Sequence, residues 1–335
     1  MLAGELGEEA LLKELRGIFA PTSPGTPVAI GDDAAVIDNP AGFQGVWTTD
    51  LLLEGVHFQK DWQTPRELGK KSLAVNLSDL AAMGAEPGWA LLSLAFPPET
   101  EAEYILELCR GLAEQAAAHG VAVVGGDTTS NPWGLVISVA AGGAVPAGAA
   151  LTRSGAAPGD AILVTGFVGS AAGGLRLLRE GGGETCAYPV LVEAFIRPAA
   201  RLAAAAAARQ AGASAMTDIS DGIASDLRHI CEESACGARV VWNNIPIHDQ
   251  LAAAADRYSW PLADMALAGG EDYELLFTVP AEKAAGAAKA ITAETGVPVT
   301  VIGDLVAADR GILLLGPDGS LRPLPVRGFD HFRHE

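Results

Sequence analysis

The chain has 335 residues, 49% hydrophobic and 19% charged, which is enough apolar material for a sizeable core and argues against global disorder. Its 41 Asp and Glu against 22 Lys and Arg give a net charge of −19, so the basic footprint of a nucleic-acid binder is missing. Four cysteines at 109, 186, 231 and 236 form no CxxC pair. Neither a zinc site nor a disulfide framework is expected, and a reducing cytoplasm fits. The opening MLAGELGEEALLKELRGIF is acidic where a signal peptide is basic, and no stretch reads as a membrane span.

In chain order, Leu11, Leu12, Leu15, Ile18 and Phe19 give residues 9–19 a helical period. A proline-rich loop follows, then VAIGDDAAVI as strand, acidic turn and strand. GVWTTDLLLEGVHF repeats that scheme, and Pro65 opens a helix over 65–83 with Asp79 inside it. Strand 89–97, helix 99–118 closed at Gly120, strand 121–127 running into a glycine turn, and strand 135–143 complete the first half. A composition shift near 145–155 places a domain junction there, giving domains 1–148 and 149–335. The second half reads as strand 161–165, helix 170–179, helix 190–209, a turn at SAMTDISDG and helix 222–235. ARVVWNNIPI is extended, 261–268 helical and YELLFTVP a strand. Helix 281–295, strand 298–302 and a hairpin around Pro317-Asp318-Gly319 finish the chain. Both halves mix strands and helices, so the fold class is α/β (α+β) in two domains.

Six acidic stretches punctuate these elements: GDDAAV, TTD, NLSD, GGDTT, DISDG and GGEDYE. Each sets an acid beside glycine or a small hydroxyl residue. Carboxylates brought together repel, and a hard cation such as Mg2+ removes that cost. Asp33, Asp50, Asp79 and Asp127 are the acids expected around metal, the first, second and fourth at strand ends. Any one alone could equally be a cap, an Asx turn or a solvated acid; the set together favours metal. Thr48 and Thr49 can add oxygens, or sit on ordinary strand surface. Gly125 and Gly126 allow close backbone approach to phosphate, or a tight turn. Arg153 can fork onto phosphate or be a solvated arginine. Asp218 and Asp221 are three apart and can converge, Ser220 can cap the next helix or bind phosphate, and Asp226 reads as that helix's outer face. One or more of Glu271, Asp272 and Glu274 can meet a cationic or polar substrate group, or form a turn and a solvated strand start, and His57 can contact phosphate or be a satisfied structural histidine. Phe329 in RGFDHF can close over a planar ligand. No P-loop, GxGxxG, Ser-His-Asp order or HExxH occurs. Acids plus arginine fit phosphoryl transfer, which needs alignment and charge neutralisation more than a covalent nucleophile.

AIGDDAAVI, TTDLLLEGVHF, KSLAVNLSDLAAMGAEP, VVGGDTT, LTRSGAAPGD, DISDGIASDLRHI, GGEDYELLFTV and RGFDHF together resemble the thiamine-monophosphate kinase family, within the aminoimidazole-ribonucleotide synthetase superfamily. The resemblance implies a two-domain fold whose N-terminal sheet domain dimerises, with ATP bound in the cleft between domains. It implies ATP-dependent phosphorylation of thiamine monophosphate to thiamine diphosphate by direct in-line transfer. Carried over by motif, Asp33, Thr48, Thr49, Asp50, Asp79, Asp127, Asp218 and Asp221 hold several Mg2+ ions. Of these, Asp33, Asp50, Asp127, Asp218 and Asp221 are the expected catalytic set. Gly126, Asp127, Arg153 and Ser220 hold ATP, and His57, Glu271 and Phe329 meet thiamine monophosphate. A homodimer with no nucleic-acid or membrane partner is implied. The competing readings are another ATP-using member of the superfamily and an acidic nucleotide-binding scaffold without turnover. Phe329 stands where some relatives carry tyrosine, and Asn131-Pro132-Trp133 looks inserted after GGDTTS.

Overall fold

The computed structural model describes residues 41–180 and 185–324, together with 14, 17 and 18. Asp32, Asp33, the strands around them, most of the 9–19 helix and RGFDHF with Phe329 lie outside the described residues. The chain forms two compact units, residues 1–80 with 85–149 and residues 81–84 with 150–335.

In the first unit, β1 (Phe43–Leu53), β2 (Glu86–Phe96), β3 (Ala122–Ser130) and β4 (Val136–Pro146) form a sheet in the order β1-β4-β2-β3. Helices α1 (Pro65–Ala82) and α2 (Ala102–Ala118) accompany it. Thr64-Pro65-Arg66-Glu67 starts α1 as a capping box. The Thr64 N–H donates to Glu67 at 2.8 Å and the Glu67 N–H donates to Thr64 Oγ1 at 3.2 Å. Strand β1 alternates with period two. Val46, Thr48, Asp50 and Leu52 turn to the more enclosed face, while Phe43, Trp47, Thr49 and Leu51 turn to the open one. Trp47 (68% exposed) and Leu51 (50%) stand on that open face. The Trp89 ring meets Trp47 edge-on at 4.4 Å. It does so by lying across β4 at Gly142, where a Cβ would come within 2.1 Å of the indole.

The expected glycine turn at 125–126 is absent, because β3 runs straight through it. Gly126 sits against the neighbouring strand so closely that a Cβ would be 1.7 Å from the Leu92 carbonyl oxygen. A register shift between Ala90 and Leu91 adjoins it. The glycine pair thus serves an irregular strand pairing.

The second unit is built on a seven-stranded sheet. Its strands are β5 (Asp160–Thr165), β6 (Ala215–Asp218), β7 (Cys236–Val241), β8 (Leu275–Pro280), β9 (Val299–Ala307), β10 (Ile312–Leu315) and β11 (Leu321–Pro323). Their order is β11-β10-β7-β9-β5-β8-β6. Ile162 and Val164 of β5 enter one apolar cluster, and Ala161 and Leu163 enter another. A strand packed on both faces needs the unbroken apolar run AILV.

The helices are α3 (Ser170–Glu180), α4 (Pro189–Ile196), α5 (Leu202–Ala211), α6 (Ile223–Glu233), α7 (Asp249–Tyr258), α8 (Leu262–Ala268) and α9 (Ala284–Thr295). The single helix expected over 190–209 is two, since α4 ends before Arg197-Pro198 and proline lacks the N–H a continuing helix needs. SAMTD is strand β6 rather than turn. Helix α7, absent from the sequence reading, starts at His248, whose ring accepts the Gln250 N–H at 3.1 Å. Among the described residues, no helix is long and apolar enough to cross a membrane.

Candidate active site

In the first unit the acids gather where β1 faces α1. Thr48 Oγ1 donates to Asp79 Oδ2 at 2.5 Å, and the Asp50 N–H donates to Asn76 Oδ1 at 3.1 Å. Asn76 is fully buried and gives its own N–H to the Ser72 carbonyl at 3.1 Å. Asn76 and Asp79 are three apart on α1 and so share a face. Burial first, and the Asp79 charge second, push the Asp50 carboxyl up to about 7. Asp50 lies within β1, not at its end. Thr49 points the other way and donates to the Val139 carbonyl at 3.1 Å. His57 Nδ1 accepts the Leu53 N–H at 3.0 Å, closing the turn after β1 and leaving Nε2 as the ring's other polar atom.

Asp127 is placed apart from this group. Leu51 pairs with Ser138, Ser138 with Ser93 and Ser93 with Asp127, so Asp127 shares the open face with Leu51. Asp50 pairs with Val139, Val139 with Leu92 and Leu92 with Gly126, on the enclosed face. The two acids therefore lie on opposite faces and on the two outer strands, three strand spacings or about 14 Å apart. Ligands of one Mg2+ sit about 2.1 Å from it. One chain's sheet does not bring Asp50 and Asp127 to one ion. Asp127 Oδ1 accepts the Thr128 N–H at 2.9 Å.

In the second unit, Asp218 ends β6 and Asp221 follows it. Ser220 does not cap α6; Gly222 occupies that position, with no side-chain cap. The Ser220 carbonyl accepts the Glu271 N–H at 2.8 Å, and the Ile219 carbonyl accepts the Tyr273 N–H at 2.9 Å. DISDG and GGEDYE are thus joined through their backbones. Glu271 (φ 66°) and Tyr273 (φ 51°) both hold the left-handed conformation that non-glycine residues avoid, a strain that concentrates at ligand sites.

Asp226 overturns its reading as an outward residue. It is 2% exposed, and its carboxylate accepts the Asp221 N–H at 3.2 Å. Burial, then the charges of Asp218 and Asp221, push it up to about 8, and the Arg153 charge pulls it back. Arg153 therefore acts on this acid group. Its loop is held by the Met216 N–H donating to the Thr152 carbonyl at 2.9 Å and by Ser234 Oγ donating to the Arg153 carbonyl at 2.9 Å.

Each unit thus keeps a carboxylate raised by desolvation and by neighbouring carboxylates, and a cation would relieve the repulsion. The donors are all oxygen, as hard cations require. Among the described residues, no three acids, histidines or cysteines already converge as a metal cage. The GGEDYE motif divides its roles. Asp272 accepts the N–H groups of Gly169 (2.6 Å) and Ala171 (3.1 Å) at the start of α3, and Glu274 pairs with Arg201 at 2.5 Å.

The AIR synthase related protein N-terminal domain model matches residues 31–145, and the C-terminal domain model matches 157–316. The thiamine-monophosphate kinase of Escherichia coli (strain K12) is 40% identical over 312 residues, covering 91% of this chain and 92% of that protein. That of Bacillus subtilis (strain 168) is 36% identical over 312 residues, covering 91% and 94%. The chain belongs to the thiamine-monophosphate kinase family. Among solved structures, the thiamine-monophosphate kinase from Stenotrophomonas maltophilia K279a superposes with a TM-score of 0.81 at 37% identity, covering 92% of this chain and 96% of that one. AaThiL complexed with AMPPCP and TMP gives 0.78 at 30% identity, covering 99% of each. Hydrogenase maturation protein HypE in complex with ATP gives 0.80 at 18% identity and so shares the fold alone.

Within this thiamine-monophosphate kinase family chain, sequence reasoning missed two residues. Asn76 was recoverable from its spacing to Asp79. Asp226 stands on the apolar face of α6 with Ile223, Leu227 and Ile230, a signal masked because an acid in a first helical turn ordinarily faces solvent.

Proposed function

We propose that this chain transfers the γ-phosphoryl group of ATP to thiamine monophosphate, forming thiamine diphosphate and ADP. The observation that carries this reading is the end-to-end match to AaThiL, whose structure holds AMPPCP and TMP. The two acidic groups are what such a reaction needs. A phosphate oxygen of thiamine monophosphate forms the new bond to the γ-phosphorus. The bond from that phosphorus to the β,γ-bridging oxygen breaks, and its electron pair leaves with ADP.

Thr48, Asp50, Asp79, Asp218 and Asp221 would hold Mg2+, with Asp226 beside the latter two; when bound, Mg2+ neutralises phosphate charge. Arg153 offers its guanidinium to phosphate from a loop pinned to β6. Ser220 and Glu271 are neighbours through a backbone hydrogen bond, so phosphate and substrate contacts move as one piece. Asp33 and Phe329 keep the roles the family resemblance gives them. The four described cysteines are all free thiols, which supports a cytoplasmic working place.

The purified protein, given Mg-ATP, is expected to yield thiamine diphosphate from thiamine monophosphate and not from thiamine. Absence of product with ATP still bound would send the assignment elsewhere in the superfamily.

The open sheet face supports a homodimer, with Trp47, Trp89 and Leu51 against a second copy. Asp127 and Thr49 lie on that face too. In this reading Asp127 serves the partner's phosphate site rather than its own chain's Asp50 and Asp79. Mixing Asp50→Asn and Asp127→Asn subunits tests this directly. Random exchange makes half the dimers mixed, each with one intact site, so activity returns to about a quarter of wild type. Mixtures that stay as inactive as either parent refute the shared site.

A further inference from the structure

The second unit contains a cavity of about 360 Å³ that none of the residues assigned above lines with its proposed ligand-binding group. That volume is in the range of small-molecule sites. Its walls come from the turn after β5, the α4–α5 break, the residue before α7 and the loop before β9. Four side chains give it its chemistry.

Ser170 opens α3, is 5% exposed, and its Oγ has no hydrogen-bond partner among the described residues. A buried hydroxyl left unpaired is costly, so one facing a cavity points to an absent acceptor. Arg201 is fixed by Glu274. Its Nε donates at 2.7 Å and its Nη2 at 2.5 Å, while Thr165 Oγ1 donates to the same carboxylate at 2.6 Å. Two of the guanidinium's five N–H groups are thereby used, and three remain. His248 Nδ1 accepts the Gln250 N–H at 3.1 Å, so the neutral ring carries its proton on Nε2 and is a donor there. Phe167 is 42% exposed and meets the His248 ring edge-on at 5.1 Å, leaving an aromatic face available.

The acceptors lining the cavity are already engaged. Glu274 is taken by Arg201 and Thr165, Asp272 by the start of α3, and Glu193 by Arg197 at 2.7 Å. The cavity therefore has surplus donors. Its charge, however, does not favour an anion, since Glu193 and Glu274 already match Arg197 and Arg201, and burial pushes the Asp272 carboxyl up to about 8. Surplus donors without surplus positive charge suit ring nitrogens and carbonyl oxygens, not carboxylate or phosphate. The half-exposed Phe167 ring with Val190 and Pro298 suits a flat body.

We propose that this cavity is a second small-molecule site, binding an uncharged aromatic heterocycle of about nucleobase size, whose ring acceptors meet Ser170 and Arg201 and whose face lies on Phe167. This goes beyond the phosphotransfer reading and does not depend on it.

The test is binding of free uracil, cytosine and adenine to the whole protein by saturation-transfer NMR, with acetate and inorganic phosphate as anionic controls. At least one base is expected to bind with a Kd in the millimolar range or tighter, as about ten ligand atoms allow. Ser170→Ala and Phe167→Ala should each weaken it about tenfold or more, with melting temperature and thiamine monophosphate turnover unchanged. Because Ser170→Ala removes one buried hydroxyl, it keeps the test valid even if Phe167→Ala disturbs the turn. Binding that neither variant weakens, anions binding in place of bases, or no base binding at all would each overturn the proposal. Loss of turnover in wild-type protein would strike the kinase reading and leave this one standing.

Discussion

Asp50→Asn is expected to cut turnover a hundredfold or more while raising the melting temperature of the metal-free protein. In the proposed role Asp50 is a charged ligand where phosphate charge is neutralised, and its removal would add about 3 kcal/mol or more to the barrier. The gain follows from the same carboxylate's surroundings. Burial and the Asp79 charge hold its folded-state pKa near 7, against an ordinary 3.8. A raised carboxyl binds its proton more tightly in the folded state. Wild-type stability from this group is therefore present at low pH and lost as pH climbs from about 4 to about 7. Asparagine does not titrate, so its advantage grows across that window and then levels off. Calorimetry at pH 5 and pH 8, without Mg2+, should show the gap opening with pH by a few degrees. Equal melting temperatures at both values would mean that Asp50 carries no such burden. Added Mg2+ should raise the wild-type melting temperature and leave the variant nearly unmoved.

Glu274→Ala is expected to be the most destabilising single change among the described polar residues of the second unit. Glu274 is 6% exposed at its side chain, and Arg201 27%. Truncation leaves a largely buried guanidinium without its counter-charge and the Thr165 hydroxyl without its acceptor. Breaking such a pair costs about 3 kcal/mol, the low end of the usual range because Arg201 keeps some solvent. That corresponds to a fall of roughly 6–12 °C in melting temperature. Glu274→Ala with Arg201→Ala should recover part of the loss, since no charge is then stranded. Thermal unfolding of the single and double variants decides it. A double variant worse than Glu274→Ala alone would show that Arg201 stabilises the unit by packing rather than by charge.

Much of this molecule was legible from its residues. The apolar run around Asp50 in GVWTTDLLL and Pro65 at a first helical turn pointed to a strand and a helix start by local rules. The apolar run AILV and the Pro317-Asp318-Gly319 hairpin did the same further on. What escaped depends on tertiary partners. The helical period does put Asp226 on the buried face with Ile223, Leu227 and Ile230, but the Asp221 N–H that meets its carboxylate there is a contact no local rule supplies. The separation of Thr48 from Thr49 was readable, because adjacent strand residues face opposite ways; their shared motif masked it. The distance between Asp50 and Asp127 was not readable, since it depends on strand order. Gly125-Gly126 carries a turn-like composition, yet the contact with Leu92 makes it part of a strand. Pro198 marks the break between α4 and α5, but the apolar run before it and the alanine-rich run after it suggested continuity.

The Trp47–Trp89 pair makes the chain its own optical probe. Trp89 is 6% exposed and Trp47 68%, so one indole emits from an apolar setting and the other from a wet one. Anything that covers the open sheet face dries Trp47 alone and shifts its emission to the blue. Trp133, 91% exposed on its loop tip, contributes red emission from the same unit, so the shift of Trp47 is read against a chain of six tryptophans by comparing the protein with its Trp47→Phe variant.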